Sequence, residues 1–211
     1  DHLGNAGSKM FGEGVVEIRY DGVGVLWKQK RELWPPSVDA FNLIEDLRRN
    51  GILKENYKNV IDIGCGTGFL GIWLTKHIPS IRKAIFSDWL ISPLILSALN
   101  ASRNLDDTHV TRRFYLGLET NWFGASDTEE MFDLLVCNPP YLPSLPGFDD
   151  LPLNTAVFGT ELLENMIAVA STRARHAFIS FSDLALPEKE DAEERTGAVL
   201  KPLGEPHRIP F

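Results

Sequence analysis

The chain has 211 residues, a formal net charge of −8, 44 % hydrophobic and 24 % charged residues. That length folds most simply as one domain burying roughly 70 % of its unfolded surface, and the acidic balance argues against a broad nucleic-acid footprint, leaving room for a local basic patch at most. No apolar run approaches the ~20 residues that cross a bilayer, no signal-peptide pattern opens the chain, and Cys65, Cys137 and five scattered histidines offer neither a disulfide framework nor metal-ligand spacing, so a cytoplasmic protein with no metal site is expected.

Residues Asp1 to Met10 are polar, Gly-rich and without periodicity, which predicts a frayed end. Val15 to Tyr20 and Val23 to Trp27 alternate around Asp21-Gly22 and read as a β-hairpin. Residues 1–32 are therefore expected to be a tail and hairpin extension preceding a main domain over 33–211. Pro35 and Pro36 forbid helix before them, Ser37 can cap a helix running to about Asn50, and Ala40, Leu43, Ile44 and Leu47 form its apolar face. Val60, Ile61 and Ile63 predict a buried strand, and Phe69 to Lys76 continue with helical spacing. Lys83 to Asp88 is a second strand, Ser92 to Asn104 a helix opened by Pro93, Val110 to Leu116 a third strand and Phe132 to Cys137 a fourth. Glu161 to Thr172 reads as helix, Ala177 to Phe181 as a fifth strand, and Asp191 to Leu203 as a last helix stopped by Gly204. Ser144 to Asn154 and the charge run Pro187 to Glu194 read as connectors. Strands alternating with helices imply an α/β fold with a doubly wound, mostly parallel sheet covered on both faces.

Gly64, Gly66 and Gly68 punctuate the first of these strand-to-helix units, letting the backbone turn tightly and a ligand lie against it. Gly66-x-Gly68-x-x-Gly71 formally matches a dinucleotide fingerprint, a weak signal alone. A carboxylate at Asp62, at the mouth of such a loop, would repel a pyrophosphate and attract a cationic ligand. The run Asp62-Ile-Gly-Cys-Gly-Thr-Gly68 resembles motif I of the class I S-adenosylmethionine-dependent methyltransferases, whose cofactor carries an amine and a sulfonium. The resemblance implies a Rossmann-like fold with Asp62, Gly64, Cys65, Gly66 and Gly68 at the cofactor. Asp88, about twenty residues beyond the loop at a strand end, is placed to accept hydrogen bonds from ribose hydroxyls; its alternative is an acid serving a helix N-terminus. Trp89 beside it is either a packing surface for adenine or a core tryptophan.

Asn138-Pro-Pro-Tyr141 follows the fourth strand. Two prolines fix φ and donate no N–H, and Asn138 before them is held extended. The Asn138 side-chain oxygen and the Pro139 carbonyl can then both accept from one planar –NH2 group, with Pro140 stiffening the turn and Tyr141 stacking on the acceptor. Such bonds strengthen as the nitrogen gains positive charge. The arrangement resembles the Asn-Pro-Pro-Tyr methyltransferases, closest to the HemK-like glutamine methyltransferases of translation release factors, with adenine amino methyltransferases as the other branch. Trp34-Pro-Pro-Ser-Val-Asp-Ala-Phe41 also resembles the segment that precedes motif I in the release-factor enzymes and lines their cofactor pocket. The resemblance spans roughly Trp34 to Phe181.

Three features depart from that pattern. An Asp near the end of the third strand usually meets the adenine amine; here Leu118 takes its place, leaving Glu119 or a backbone group for the contact. Only a short hairpin precedes the fold, where the bacterial enzymes carry a helical substrate-holding domain. Such sheets close with an antiparallel strand pair, of which the chain reaches at most the first member. The expectation is N-methylation of a planar nitrogen, a protein glutamine amide ahead of an exocyclic amine of RNA or DNA, with an activating subunit possible by resemblance. Lys28-Gln-Lys-Arg31 and Arg112-Arg113 are modest basic clusters that keep the nucleic-acid option open. A non-catalytic S-adenosylmethionine-binding scaffold is the competing class, and a nicotinamide oxidoreductase a distant third.

Overall fold

Short β-branched runs separated by glycine turns and amphipathic helices can bury both sheet faces only by winding helices to either side. The computed structural model of the protein does so. It describes residues 6–11, 14–28, 33–106, 109–117, 131–139, 159–182, 186–204 and 206, with the side chains of 6–11, 159–162, 187 and 188 left aside. The elements run β1 (Ala6–Phe11), β2 (Val15–Tyr20), β3 (Val23–Lys28), α1 (Val38–Arg49), a 3-10 turn (Ile52–Lys54), β4 (Asn59–Ile63), α2 (Phe69–His77), β5 (Lys83–Asp88), α3 (Ile91–Asn104), β6 (Thr111–Leu116), β7 (Phe132–Cys137), α4 (Gly159–Arg173), β8 (Ala174–Ile179) and α5 (Leu186–Thr196).

The main sheet has the order β6-β5-β4-β7-β8, parallel at every pairing. Strand order reverses between β4 and β7, the switch point where such sheets hold their ligands. The register aligns Ile63 with Cys137, so the chain leaves both strands side by side. Val60, Phe86, Leu134 and Val136 join α1, α2 and α3 in one buried cluster through Leu47, Trp73 and Ala101. Ile61, Ile63, Ile85 and Leu135 form a second with Met166 and Ala170 of α4. Ala192 of α5 packs on Leu163 and Ile167 of α4.

Asp21 (φ 47°) and Gly22 (φ 78°) turn the expected hairpin. The predicted frayed end is different: Ala6 to Phe11 add a third antiparallel strand, paired from Ala6↔Tyr20 to Phe11↔Val15. The open edge of β2 supplies the backbone partners that local periodicity could not announce. The outer edge of β3 is closed by side chains of α3. Asn104 accepts from the Gly24 N–H (3.0 Å) and donates to its carbonyl (2.8 Å). Asn100 does the same at Leu26 (2.8 and 3.0 Å). Tyr20 stacks on Phe41 at 4.9 Å, and Phe41 meets Phe69 edge-on at 5.3 Å. Asp21 accepts from Trp73 Nε1 (3.0 Å), pairs with Arg48 and lies 3.0 Å from His77 Nε2. The small sheet is thus bolted to α1, α2 and α3.

The C-terminal part also departs from expectation. The charge run Pro187 to Glu194 is the body of α5, not a connector, and the helix stops at Gly197 (φ 71°), short of Gly204. A Lys189–Glu193 pair one turn apart (2.7 Å) and the Glu193 carboxylate accepting the Leu200 N–H hold a helix that composition alone read as solvated chain. β8 begins at Ala174, because pairing of Phe132 with Ala174 carries the ladder further back than the apolar run suggests. Among the described residues no antiparallel pair follows β8, and no helix is long and apolar enough to cross a membrane.

Candidate cofactor and acceptor site

The loop after β4 and the first turn of α2 carry four glycines doing two different jobs. Gly64 (φ 66°) and Gly66 (φ 52°) adopt the left-handed conformation, and a Cβ there would meet nothing closer than the Trp34 carbonyl, 4.0 Å from position 66. That side of the loop is open space a ligand can occupy. Gly68 and Gly71 serve packing: a Cβ at 68 would lie 2.9 Å from Ser97 Cβ, and one at 71 would lie 2.7 Å from Phe86 Cε1. The loop is held by the Cys65 N–H donating to the Ser87 carbonyl (3.0 Å) and the Gly68 N–H to the Cys65 carbonyl (2.7 Å).

Two buried acids lie under this loop. Asp62 is 2 % exposed and its Oδ2 accepts the Gly71 N–H at 2.8 Å. The position expected at the loop's mouth is therefore inside the β4–α2 packing, because α2 folds back across the strand. Burial pushes the Asp62 carboxyl up to about 7; the Gly71 N–H opposes the shift and Asp88 adds to it. Asp88, 6 % exposed at the end of β5, accepts the Gly66 N–H (3.0 Å) and the Leu90 N–H (3.1 Å). Burial raises its carboxyl as well, against the pull of the Leu90, Gly66 and Trp89 N–H groups. Both ionised forms are thus short of compensating positive charge, which fits a ligand bearing an amine and a sulfonium and disfavours a pyrophosphate. The Cys65 thiol is buried and pushed upward by desolvation, then by Asp88 and Asp62, which disfavours the thiolate a nucleophile requires. Trp89 follows Asp88 in the chain with 37 % of its surface exposed, so it is not a core tryptophan.

Asn138 emerges from β7 across the switch point, followed by buried Pro139. Its Nδ2 donates to Ser37 Oγ at 3.1 Å, and Ser37 Oγ donates to Asp39 Oδ2 at 3.3 Å. Its Oδ1 is buried and has no partner among the described residues. Ser37 occupies the N-cap position of α1, yet its hydroxyl makes no capping bond to a helix N–H; the expected cap is spent on Asn138. Pro140, Tyr141, Leu118 and Glu119 lie outside the described residues, as does the loop Ser144 to Asn154.

Sequence reading missed Asn100, which is fully buried and ties β3 to the glycine loop, donating to the Thr67 carbonyl at 3.0 Å. A signal existed: Pro93, Ser97 and Asn100 share the buried stripe of α3 with Leu94 and Ala101, and a polar side chain on such a stripe requires partners. Of the two basic clusters, Arg112 and Arg113 are neighbours on strand β6 and project to opposite faces, so they form no continuous patch.

Residues 42–146 match the family model described as methyltransferase small domain. A release factor glutamine methyltransferase of Chlorobaculum tepidum is 28 % identical over 103 residues, 47 % of this chain and 33 % of that protein. A Methanocaldococcus jannaschii protein, whose name assigns it provisionally to the protein N5-glutamine methyltransferases, is 24 % identical over 195 residues, 90 % of this chain and 87 % of that protein. The methyltransferase domain of METTL16 superposes with a TM-score of 0.59 at 16 % identity, over 82 % of this chain and 78 % of that one, which shows the fold. The chain spans 33 % to 38 % of the length of three release factor enzymes it matches. Residues 42–146 thus carry the match to the methyltransferase small domain, on a chain with the fold of the METTL16 methyltransferase domain.

Proposed function

We propose that the chain methylates the side-chain amide of a protein glutamine, of the kind carried by translation release factors. The observation that carries this reading is the buried Asn138 Oδ1 at the switch point, without a partner among the described residues, next to a glycine loop open on its ligand side. S-adenosylmethionine, when bound, supplies an electrophilic methyl group on its sulfonium. Gly64 and Gly66 give its backbone-hugging approach, Asp88 at the end of β5 takes its hydroxyls, buried Asp62 holds the start of α2 through the Gly71 N–H, and Trp89 packs at its rim. Asn138 Oδ1 and the Pro139 carbonyl accept the two hydrogens of the acceptor –NH2. Held so, the nitrogen is drawn out of amide conjugation and its lone pair is aimed at the methyl group. The bonds tighten as charge develops on nitrogen, so they lower the barrier rather than merely bind. The proton leaves after transfer, so no general base is needed beforehand. The acidic chain and the divided Arg112–Arg113 pair favour a protein acceptor over nucleic acid.

The test is incorporation of labelled methyl from S-adenosylmethionine into a purified release factor, with mass spectrometry locating the modified glutamine. Asn138→Ala is expected to lower turnover about 100-fold while leaving S-adenosylhomocysteine affinity nearly unchanged. Equal turnover by the variant would remove Asn138 from the reaction. Label entering tRNA or ribosomal RNA in place of the release factor would move the acceptor to an exocyclic amine.

A further inference from the structure

We propose that Ser37, held by Asp39, is a positioning residue that selects which end of the Asn138 side chain faces the methyl acceptor. The proposal rests on the reading that Asn138 receives the acceptor amine. A primary amide is nearly symmetric in shape, and half a turn about its terminal torsion exchanges an acceptor oxygen for a donor –NH2. That torsion is soft, and Pro139 restrains only the backbone of Asn138. In one orientation the oxygen meets the acceptor's N–H; in the other, donor faces donor and no bond forms.

The structure supplies a one-way chain of bonds that breaks this symmetry. Asp39, as a carboxylate, can only accept. The single hydroxyl proton of Ser37 is directed to Asp39 Oδ2 at 3.3 Å, so Ser37 presents lone pairs to Asn138. Only the –NH2 end satisfies lone pairs, and Nδ2 is found 3.1 Å from Ser37 Oγ. Oδ1 is thereby turned away, buried and without a partner among the described residues. Ser37 makes no capping bond to α1 although it stands at the capping position, so the hydroxyl is free for this task. Donation from Nδ2 also polarises the amide toward its oxygen, which makes Oδ1 a better acceptor.

The experiment follows the Asn138 side-chain –NH2 resonances in 15N-labelled protein, identified by their loss in Asn138→Ala. In the parent one of these protons is expected to be hydrogen-bonded and slow to exchange. Ser37→Ala is expected to lose that protection and Ser37→Thr, which keeps the hydroxyl, to retain it. In parallel, S-adenosylhomocysteine titrated into Ser37→Ala should bind within about twofold of the parent, while release factor methylation falls roughly tenfold in kcat/KM, the scale of one lost orienting bond, and recovers in Ser37→Thr. Asp39→Asn, which can donate as well as accept, should show an intermediate loss and serves if Ser37→Ala folds poorly. Unchanged Asn138 resonances in Ser37→Ala would overturn the proposal. So would turnover and S-adenosylhomocysteine affinity falling together, which would make Ser37 part of the cofactor pocket. If the parent methylates no release factor, the acceptor reading fails separately, and the resonances with the titration decide the orientation alone.

Discussion

Replacing Asn100 tests how the small N-terminal sheet is joined to the cofactor loop. Its side chain makes three bonds: it accepts from the Leu26 N–H at 2.8 Å and donates to the Leu26 and Thr67 carbonyls at 3.0 Å each. A net hydrogen bond is worth about 1 kcal/mol, and a buried group left unpaired costs about 1–3 kcal/mol. Leu26 is half-buried, so water can reach its backbone, whereas Thr67 is buried. Asn100→Ala should therefore cost about 3 kcal/mol of unfolding free energy, a large share of the ~5–15 kcal/mol typical of a domain. Asn100→Asp has the same shape but sets a carboxylate oxygen against both carbonyls, and should cost more than Ala. The assay is urea unfolding without cofactor, followed by S-adenosylhomocysteine titration. Asn104→Ala is the control: Asn104 bonds Gly24 and the Asn100 carbonyl but not the loop. It should destabilise comparably and leave cofactor affinity intact, while Asn100→Ala weakens both. A loss below about 1 kcal/mol for Asn100→Ala, or an Asp variant no worse than Ala, would refute the role given to these bonds.

The glycines of the loop should separate into two classes. Gly71→Ala brings a Cβ to 2.7 Å from Phe86 and 3.0 Å from Asp62 Cβ, an overpacking that costs about 1–3 kcal/mol in thermal or urea unfolding. Gly66→Ala meets only open space and backbone strain of about 1–2 kcal/mol, and should chiefly abolish S-adenosylhomocysteine binding measured by calorimetry. Asp62→Asn should change stability in a pH-dependent way. The native carboxyl, pushed up to about 7 by burial, holds a proton between pH 4 and 7 that the unfolded chain has released. Stability from this group is therefore full below about pH 4, lost progressively as pH rises toward 7, and gone above it. The variant should match the parent near pH 4 and exceed it by about 2–4 kcal/mol at pH 8, and a pH-independent difference would show Asp62 to be ionised throughout. Lys189→Ala removes the half-buried pair with Glu193 and should lower stability by only about 0.5 kcal/mol, since helical pairs one turn apart contribute little.

The alternation of strands and helices was legible in the sequence because each element carries its own period: Val60 to Ile63, Lys83 to Asp88 and Phe132 to Cys137 fall where their apolar runs put them. The glycine loop and Asn138 were legible for the same reason, as local turn chemistry at strand ends. Tertiary structure decided everything that depends on a distant partner. Ala6 to Phe11 became a strand because β2 offered an open edge, and Pro187 to Glu194 a helix because α4 gave Ala192 a surface to bury against. Asp62 looked like an exposed loop acid until α2 folded over it and placed Gly71 on its oxygen. Ser37 looked like a cap until it met Asn138, 101 residues away. Residue type and spacing set what a side chain can bond; which bond it makes is set by the neighbours that burial brings to it.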